Sequence, residues 1–330
     1  MTFARSIGRV ASLIAALILI SPAAITSVDA KDYPNRVIKI VVAAGPGGGL
    51  DTLVRLLRGS LEQQLGEPVI VDNRPGASGV IAVQTVTRSP ADGYTVLFVS
   101  GTLIVTNPFI IKDIPYKPLE ELDAVAGYGS LPMVWVANPD LGFKTLADMV
   151  AYARKNPGKL LVSHSGAGTL PYLIEEAFIR KNNLDVQIVP YKTAPQADLD
   201  TMAGHVHISV DNMTSVSPFV RQKQLTALAV TTKKRSALLP EVPSWLEDGS
   251  GPFDVSGWYG FVVPKGTPRE VIDILNKAIN TAIQTPEVKT RLDEWGMQFS
   301  PQTPDEFRDF MHSEYGKFGQ LIKQMGFEPQ

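Results

Sequence analysis

Short β-branched segments alternate with helix-length segments along most of this chain, and this alternation constrains the fold more than any other feature. VIKIVVAA at 37–44 predicts a buried strand, and LDTLVRLLRGSLEQQL at 50–65 predicts a helix with one leucine-rich face. Such a pattern suits mostly parallel sheets with helices on both faces, so we predict an α/β fold. Further strands are predicted at 68–73, 94–100, 133–138, 159–165, 186–192, 206–212, 225–232 and 258–264, and further helices at 79–89, 145–158, 195–203 and 268–325.

The first 30 residues have the features of a secretory signal. Arg5 and Arg9 form a basic start, an apolar run follows from Val10 to Ile20, and small residues suited to cleavage end at Ala30. The apolar run is shorter than the roughly 20 residues that span a bilayer, with an uncleaved anchor as the alternative. The chain has no cysteine, so it offers neither a disulfide nor a site for a lipid anchor. We predict cleavage near Ala30 and a protein that is free in a bacterial periplasm or outside the cell.

Removal of this segment leaves residues 31–330, which is more than one compact core usually holds. We predict two lobes that the chain joins twice, near residues 130–136 and near residues 254–262. Lobe one comprises 31–130 plus 256–330, and lobe two comprises 131–255. The 31 basic and 33 acidic residues of the chain are interspersed, so we expect no nucleic-acid partner.

The loop GPGGGLD at 45–51 stands between the first predicted strand and its helix. It lacks the Gly-Lys-Ser/Thr ending of a P-loop and the third glycine of a dinucleotide-binding fingerprint. Its N–H groups at a helix start suit an anion such as a carboxylate. A tight turn in which Asp51 only caps the helix is the alternative.

Three other predicted strands end in comparable turns: VSGTLIVTNP at 99–108, SHSGAGT at 163–169 and YKTAPQ at 191–196. They are rich in small residues and hydroxyl groups, and only Lys192 among them is cationic. Ligands of open α/β sheets bind beyond the carboxyl ends of strands. Four such turns predict one cleft that holds a carboxylate through N–H groups, hydroxyl groups and ordered water.

Several segments, in this order, resemble one family over essentially the whole mature chain. They are YPNRVIKIVVAAGPGGGLDTLVRLL, PVIVDNRPGASGVIA, ADGYTV, VSHSGAGT, VPYKTAPQADLDTMAGHVHISVDN and LTALAVTTKKRSALLPEVPS. The chain resembles the tripartite tricarboxylate transporter receptor family, the Bug-type periplasmic solute-binding proteins. The resemblance implies a two-lobed type II periplasmic binding fold. It also implies that a small organic acid is captured between the lobes and delivered to membrane permease subunits. We expect a monomer without a cofactor or a metal ion.

The resemblance and the turns together assign ligand contacts. The family's Pro-Gly-Gly-x-x-Asp loop matches 46–51, and its Tyr-Lys-Gly-x-x-Pro loop matches 191–195, where Thr193 replaces the usual glycine. Asp211 could accept from a ligand amine or hydroxyl group, with a helix cap as the alternative. The predicted ligand-binding residues are Pro46, Gly47, Gly48, Asp51, Ser100, Gly101, Thr102, Ser165, Gly166, Ala167, Gly168, Thr169, Thr193, Ala194, Pro195 and Asp211.

The residues typical of catalysis do not form a convincing set. The nucleophile motif Gly-x-Ser-x-Gly does not occur, and the adjacent His164 and Ser165 would point to opposite faces of a strand. His205 and His207 would share a strand face, but no third metal ligand stands at a suitable spacing.

Trp258 and Tyr259 lie near the second connection between the lobes, where we predict that they pack the lobes rather than stack on a ligand. We therefore predict a binding protein rather than an enzyme. The alternatives are a secreted α/β hydrolase-type enzyme that uses Ser165, and a solute sensor subunit of a signalling system.

Overall fold

The computed structural model describes residues 33–164, 169–191, 194–247, 249–324, 326–327 and 329. The predicted signal segment lies outside these residues, as do five predicted contacts: Ser165, Gly166, Ala167, Gly168 and Thr193. Within the described part of the chain, no helix has the length and apolar character needed to cross a membrane.

The strands of the described residues form one curved, mixed sheet. They are β1 (Ile38–Val42), β2 (Val69–Asn73), β3 (Thr95–Ser100), β4 (Leu122–Ala137), β5 (Leu161–His164), β6 (Gln187–Pro190), β7 (Ile208–Asn212), β8 (Thr226–Val230) and β9 (Ser256–Pro264). Their order across the sheet is β2-β1-β3-β9-β4-β7-β5-β6, and β8 pairs with β4 beside this path.

The helices follow the strands closely along the chain. They are α1 (Gly49–Leu65), α2 (Val80–Thr87), α3 (Asn107–Ile110), α4 (Pro118–Glu121), α5 (Leu146–Lys155), α6 (Leu170–Asn182), α7 (Ala194–Met202), α8 (Met213–Arg221), α9 (Arg269–Ile283), α10 (Pro286–Glu294) and α11 (Pro304–Gln324). A π-helical turn, Thr102–Thr106, connects β3 to α3, and 3-10 turns occupy Ala77–Gly79 and Pro139–Leu141.

The sheet differs from the mostly parallel arrangement predicted from the strand patterns. β1 pairs in parallel with β2 and β3, and β5 pairs in parallel with β6 and β7. Between these two groups, β4 and β9 run antiparallel to each other over most of their length, from Leu122 opposite Pro264 to Pro132 opposite Ser256. β9 also pairs with β3, and β4 also pairs with β7. The two long strands therefore connect the parallel groups into one sheet.

Three predicted boundaries are wrong. β4 begins at Leu122 rather than near 133, because its glycines and Pro132 conceal a 16-residue strand. β7 begins at Ile208, so His205 and His207 precede the strand and do not share its face. The predicted helical tail consists of three separate helices, α9, α10 and α11.

Apolar side chains cover both faces of the sheet. In β1, Ile38, Ile40 and Val42 belong to a core with α1 and α9, whereas Val41 belongs to the core on the opposite face. This alternation follows from strand geometry, since successive side chains point to opposite faces. A strand buried on both sides explains the nearly continuous apolar sequence of this segment.

At Gly260 in β9, an aromatic ring packs directly against the backbone of the sheet. A Cβ atom at this position would collide with the Phe307 ring of α11 and would lie 2.9 Å from the Ala126 carbonyl oxygen of β4. The Phe307 side chain is buried, so neither neighbour can move without a rearrangement of the core.

We expect Gly260→Ala to lower the free energy of unfolding by about 1–3 kcal/mol, because overpacking forces the strand and the ring apart. Gly59→Ala is the matched control, since Gly59 lies within α1 and has open space around its Cβ position. This control should be neutral or should stabilise by about 0.5–1 kcal/mol. Urea denaturation of both variants measures the difference, and equal stabilities would contradict the packing described for Gly260.

Candidate functional site

Two cavities meet at Asn212 and Tyr259 and form one cleft. Its floor comes from the long strands β4 and β9, which contribute Leu131, Met133 and the residues 256–259. One side is formed by loops that follow β1 and β3, and the other by residues at the starts of α6 and α8. The cleft therefore receives residues from both parallel groups of the sheet.

The first cavity has a volume of about 200 Å³ and is rich in small hydroxyl groups. We call it the hydroxyl half. Its polar side chains come from β3, the π-helical turn, the residue before α6, the end of β7 and the start of β9. They are Ser100, Thr102, Thr106, Thr169, Asn212 and Ser256. Gly101, Trp258 and Phe318 complete much of its wall.

The second cavity has a volume of about 530 Å³ and is lined by larger apolar and aromatic side chains. We call it the aromatic half. Leu50, Leu131 and Trp295 form part of its wall together with Tyr259. Its polar members come from the first turns of α1 and α8. They are Gly49, Thr52, Thr214 and Ser215.

Three helices of more than two turns point their N-termini at this cleft. α1 contributes Gly49 and α6 contributes Leu170, while α8 begins directly after Asn212. The N-caps of α1 and α8 form no side-chain cap hydrogen bond. First-turn N–H groups have no acceptor within the helix, and the helix dipole places partial positive charge there. The cleft can therefore hold an anion through backbone donors.

The described side chains around the cleft carry no formal charge. Of the residues that the structure describes, no Asp, Glu, Lys, Arg or His lines either half. Lys192, the one cation of the predicted turns, lies outside the described residues. Within the described part, the groups that can donate to an anion are thus N–H and hydroxyl groups.

The predicted role of Asp51 as a ligand contact needs correction. Its side chain is only 2% exposed and lies beneath the glycine loop. Oδ2 accepts from the Gly47 N–H at 2.8 Å and from Arg55 Nε at 2.8 Å, and Oδ1 accepts from Asn73 Nδ2 at 2.9 Å. The hydrogen bond from Arg55 is the main cause that lowers the pKa of Asp51 to about 2. Asp51 fixes the loop, and it lines neither half of the cleft.

The glycine loop also has fewer free N–H groups than its sequence suggested. Gly47 donates to Asp51, and the Gly48 N–H donates to the Gly45 carbonyl at 3.0 Å. At the start of α1, the N–H groups of Gly49 and Leu50 have no acceptor within the helix. Both residues line the aromatic half, as does Gly47, whereas Pro46 and Gly48 line neither half.

Asp211 does not line the cleft but holds a residue that does. Its side chain is 3% exposed, and its Oδ1 accepts from the Asn212 N–H at 2.6 Å and from Asn212 Nδ2 at 3.1 Å. The helix-cap alternative is also wrong, because the N-cap of α8 is Asn212. Asn212 lines both halves, so Asp211 acts on the cleft through its neighbour.

The remaining predicted contacts fall into two groups. Ser100, Gly101, Thr102 and Thr169 line the hydroxyl half. The third predicted turn leads into α7, which begins at Ala194, and neither Ala194 nor Pro195 lines the two halves.

Several residues that line the cleft were not predicted. Trp258 and Tyr259, predicted only to pack the lobes, line the cleft while they also pack: Tyr259 stacks on Phe98 with ring centroids 6.0 Å apart. Trp295 follows α10 and is far from any strand-end turn in the sequence. The sequence did contain a signal for Asn212, because this residue lies between a predicted strand and a helix, as the other predicted turns do.

His164 and His207 are engaged within the protein. The ring of His164 contacts the ring of Tyr172 at 4.2 Å between centroids, and burial lowers the pKa of His164. His207 Nδ1 accepts from the Leu161 N–H at 3.1 Å. The described residues contain no group of three or more His, Cys, Asp or Glu arranged to hold a metal ion.

Comparisons with known proteins agree with this architecture. A model of the tripartite tricarboxylate transporter family receptor matches residues 53–327. Protein BugT of Bordetella pertussis is 34% identical over 300 residues, covering 91% of this chain and 92% of that protein. A solved R. palustris structure, Rpa4515 with adipate, has a TM-score of 0.79 at 28% identity, covering 91% of this chain and 100% of its own. The periplasmic binding protein BugD has a TM-score of 0.76 at 28% identity, covering 90% and 100%. The predicted two-lobed type II periplasmic binding fold is confirmed.

We expect Asp51→Ala to lower the free energy of unfolding by about 1–3 kcal/mol at neutral pH, because buried donors of the loop lose their acceptor. The pKa of Asp51 is depressed, so its contribution is present above about pH 4 and is lost as the pH falls toward about 2. The difference in the free energy of unfolding between Asp51→Ala and the parent protein should therefore become smaller at acidic pH. Denaturant titrations across this pH range measure it.

Arg55→Met is the matched variant, because it removes the half-exposed partner and keeps the bonds from Gly47 and Asn73. A smaller loss, about 0–1 kcal/mol, is expected for it. Equal losses for the two variants would contradict the assignment of Asp51 as the acceptor that fixes the loop.

Proposed function

The chain belongs to the tripartite tricarboxylate transporter receptor family, and on this basis we propose that it is an extracytoplasmic receptor for a small organic carboxylate. The carboxylate is captured in the cleft and the loaded protein delivers it to membrane permease subunits. Cleavage near Ala30 releases the receptor into the periplasm, where it acts as a monomer without a cofactor.

One observation supports the ligand class above all others: three helix N-termini converge on a cleft whose described side chains carry no formal charge. Backbone N–H groups and helix dipoles stabilise an anion there, while the hydroxyl groups of Ser100, Thr102 and Thr169 complete its hydrogen bonds. The similar protein solved with adipate is consistent with a carboxylate ligand.

The proposed mechanism is closure of two lobes over the ligand. Lobe one, residues 31–130 plus 256–330, supplies Gly47 and Ser100 to Thr102. Lobe two, residues 131–255, supplies Ser165 to Thr169 and the turn 193–195. The ligand favours the closed form only through the contacts that it gains there. The permease then recognises the closed form.

A thermal-shift screen of residues 31–330 against mono-, di- and tricarboxylates, amino acids and neutral solutes tests this function. A ligand at 100 times its dissociation constant adds about 2.7 kcal/mol of stability. We expect one class of acid to raise the melting temperature. This rise should be absent in the Gly257→Val variant. The Gly257 Cβ position has its nearest neighbour at 3.7 Å, so that added bulk enters the cleft without a backbone clash.

Three outcomes would contradict the proposal. A thermal shift only with neutral solutes would indicate a binding protein whose ligand is not a carboxylate. Hydrolysis of an ester or an amide that Ser165→Ala abolishes would indicate an enzyme. Binding without any permease partner, in a cell where the protein instead alters the activity of a signalling kinase, would indicate a sensor subunit.

The N–H group of Gly49 can be removed from the cleft without a change to the other donors. Gly49 is the first residue of α1 and has open space at its Cβ position, and the preceding Gly48 has the extended conformation that proline requires before it. Gly49→Pro should therefore preserve the helix and remove a single N–H from the cleft. We expect affinity for the identified acid to fall roughly 10- to 100-fold, the effect of one hydrogen bond to a charged group.

Gly49→Ala is its control, because it adds a comparable side chain and keeps the N–H. Isothermal titration calorimetry of both variants measures the difference. Equal affinities would show that the Gly49 N–H does not contact the ligand.

A further inference from the structure

Behind the cleft, two buried carboxyl groups contact each other. Asp198 of α7 is 2% exposed and Asp211 of β7 is 3% exposed, and their side chains are within hydrogen-bonding distance. Each also has a neutral partner: Ser209 Oγ donates to Asp198 Oδ1 at 2.8 Å, and Ser215 bonds to Asp211. The cleft residue Asn212 gives both its backbone N–H and its Nδ2 to Asp211.

Two carboxyl groups in such contact cannot both be ionised, so one proton lies between them. Burial raises the pKa of both groups, and the charge of Asp211 adds to the effect on Asp198, whose pKa is raised to about 7. The remaining negative charge belongs to Asp211, which receives hydrogen bonds from Asn212 and Ser215. Asp198 then carries the proton and donates it toward Asp211.

The other titratable groups around this pair do not supply a positive charge. On β9, the hydroxyl of Tyr259 is kept protonated, because burial and the charge of Asp211 raise its pKa to about 12. On α6, the buried Glu175 bonds to the backbone of Val210, and burial raises its pKa well above the usual range. No Lys, Arg or His among the described residues is a cause of the shifts at Asp198 or Asp211.

This network fixes which end of the Asn212 amide faces the cleft. Its Nδ2 is directed to Asp211, which leaves Oδ1 for the cleft, and a methyl group built on Gly257 would lie 3.7 Å from that oxygen. Gly257 lines the hydroxyl half beside Asn212. An amide oxygen is an acceptor only, so it repels a carboxylate oxygen and favours an O–H or N–H donor.

We propose that Asp198 and Asp211 share one proton and thereby hold the Asn212 amide oxygen toward the cleft, where it accepts a hydrogen bond from a hydroxyl or amino group of the ligand. This inference rests on the proposed function and narrows it to carboxylates that carry a second, hydrogen-donating group. Asp198 and Asp211 are positioning residues, and Asn212 is the contact.

Matched pairs of acids test the ligand contact: malate with succinate, 3-hydroxybutyrate with butyrate, and alanine with propionate. We expect the donor-bearing member of at least one pair to bind roughly 3- to 10-fold more tightly by calorimetry, as one neutral hydrogen bond contributes. The preference should disappear in Asn212→Leu and in Asp211→Asn. Circular dichroism and the melting temperature establish that each variant folds. A preference that survives in the folded Asn212→Leu protein, or equal affinities in every pair, would overturn the contact.

Asp198→Asn tests the shared proton, because its amide can donate to Asp211 permanently and can still accept from Ser209. A raised carboxyl pKa stabilises the folded state at low pH, and this stability is lost as the pH rises through the folded-state value. The ligand-free parent protein should therefore lose stability between about pH 4 and about pH 8, and Asp198→Asn should lose less over the same range. Glu175 contributes equally to both proteins, so the comparison removes its effect.

The same variant separates this inference from the proposed function. When an acid binds, its affinity for the parent protein should fall above about pH 7, as a second negative charge develops behind the cleft, and Asp198→Asn should show a flatter profile while it keeps the donor preference. Identical pH profiles of stability in the two proteins would overturn the shared proton. If no acid of any pair binds the parent protein, the donor contact fails, the wider thermal-shift screen decides the carboxylate function, and the stability profiles still decide the shared proton.

Discussion

The antiparallel pairing of β4 with β9 is the constraint on which the rest of the structure depends. These two strands join the parallel group around β1 to the parallel group around β5, and every other strand reaches the opposite group only through them. Their central residues also form the floor of the cleft. The connection between the two groups and the base of the binding site are thus the same piece of backbone, which is why the turns of both groups face one space.

The cleft that we propose for an anion has no charged side chain among its described residues. Two buried acidic residues hold the backbone that lines the cleft: Asp51 fixes the glycine loop, and Asp211 fixes Asn212. This arrangement keeps the contact surface composed of groups whose hydrogen bonds have strict directions. Selectivity among acids then depends on where donors and acceptors are placed rather than on total charge.

The sequence predicted the alternating fold and the family because these depend on periodicity and on segments that lie in order along the chain. It also placed Ser100 to Thr102 and Thr169 at the cleft, since strand ends of neighbouring strands meet. It misjudged Asp51 and Asp211 because a carboxylate at a helix start can face a ligand or the protein, and only the fold decides which. Trp295 could not be predicted from the sequence, because a residue after α10 joins the cleft only through tertiary packing. The 16-residue strand β4 was hidden by glycines that are needed where the segment between α10 and α11 packs closely.

Asn212 and Tyr259 belong to both halves of the cleft. Two small molecules placed side by side would compete for these residues, so the halves are one compartment rather than two independent sites. We therefore expect one ligand for each chain. The selectivity of the compartment is a matter of length as well as of chemistry: a molecule that fills only the hydroxyl half leaves apolar walls in contact with water, and one that spans both halves removes that surface from solvent.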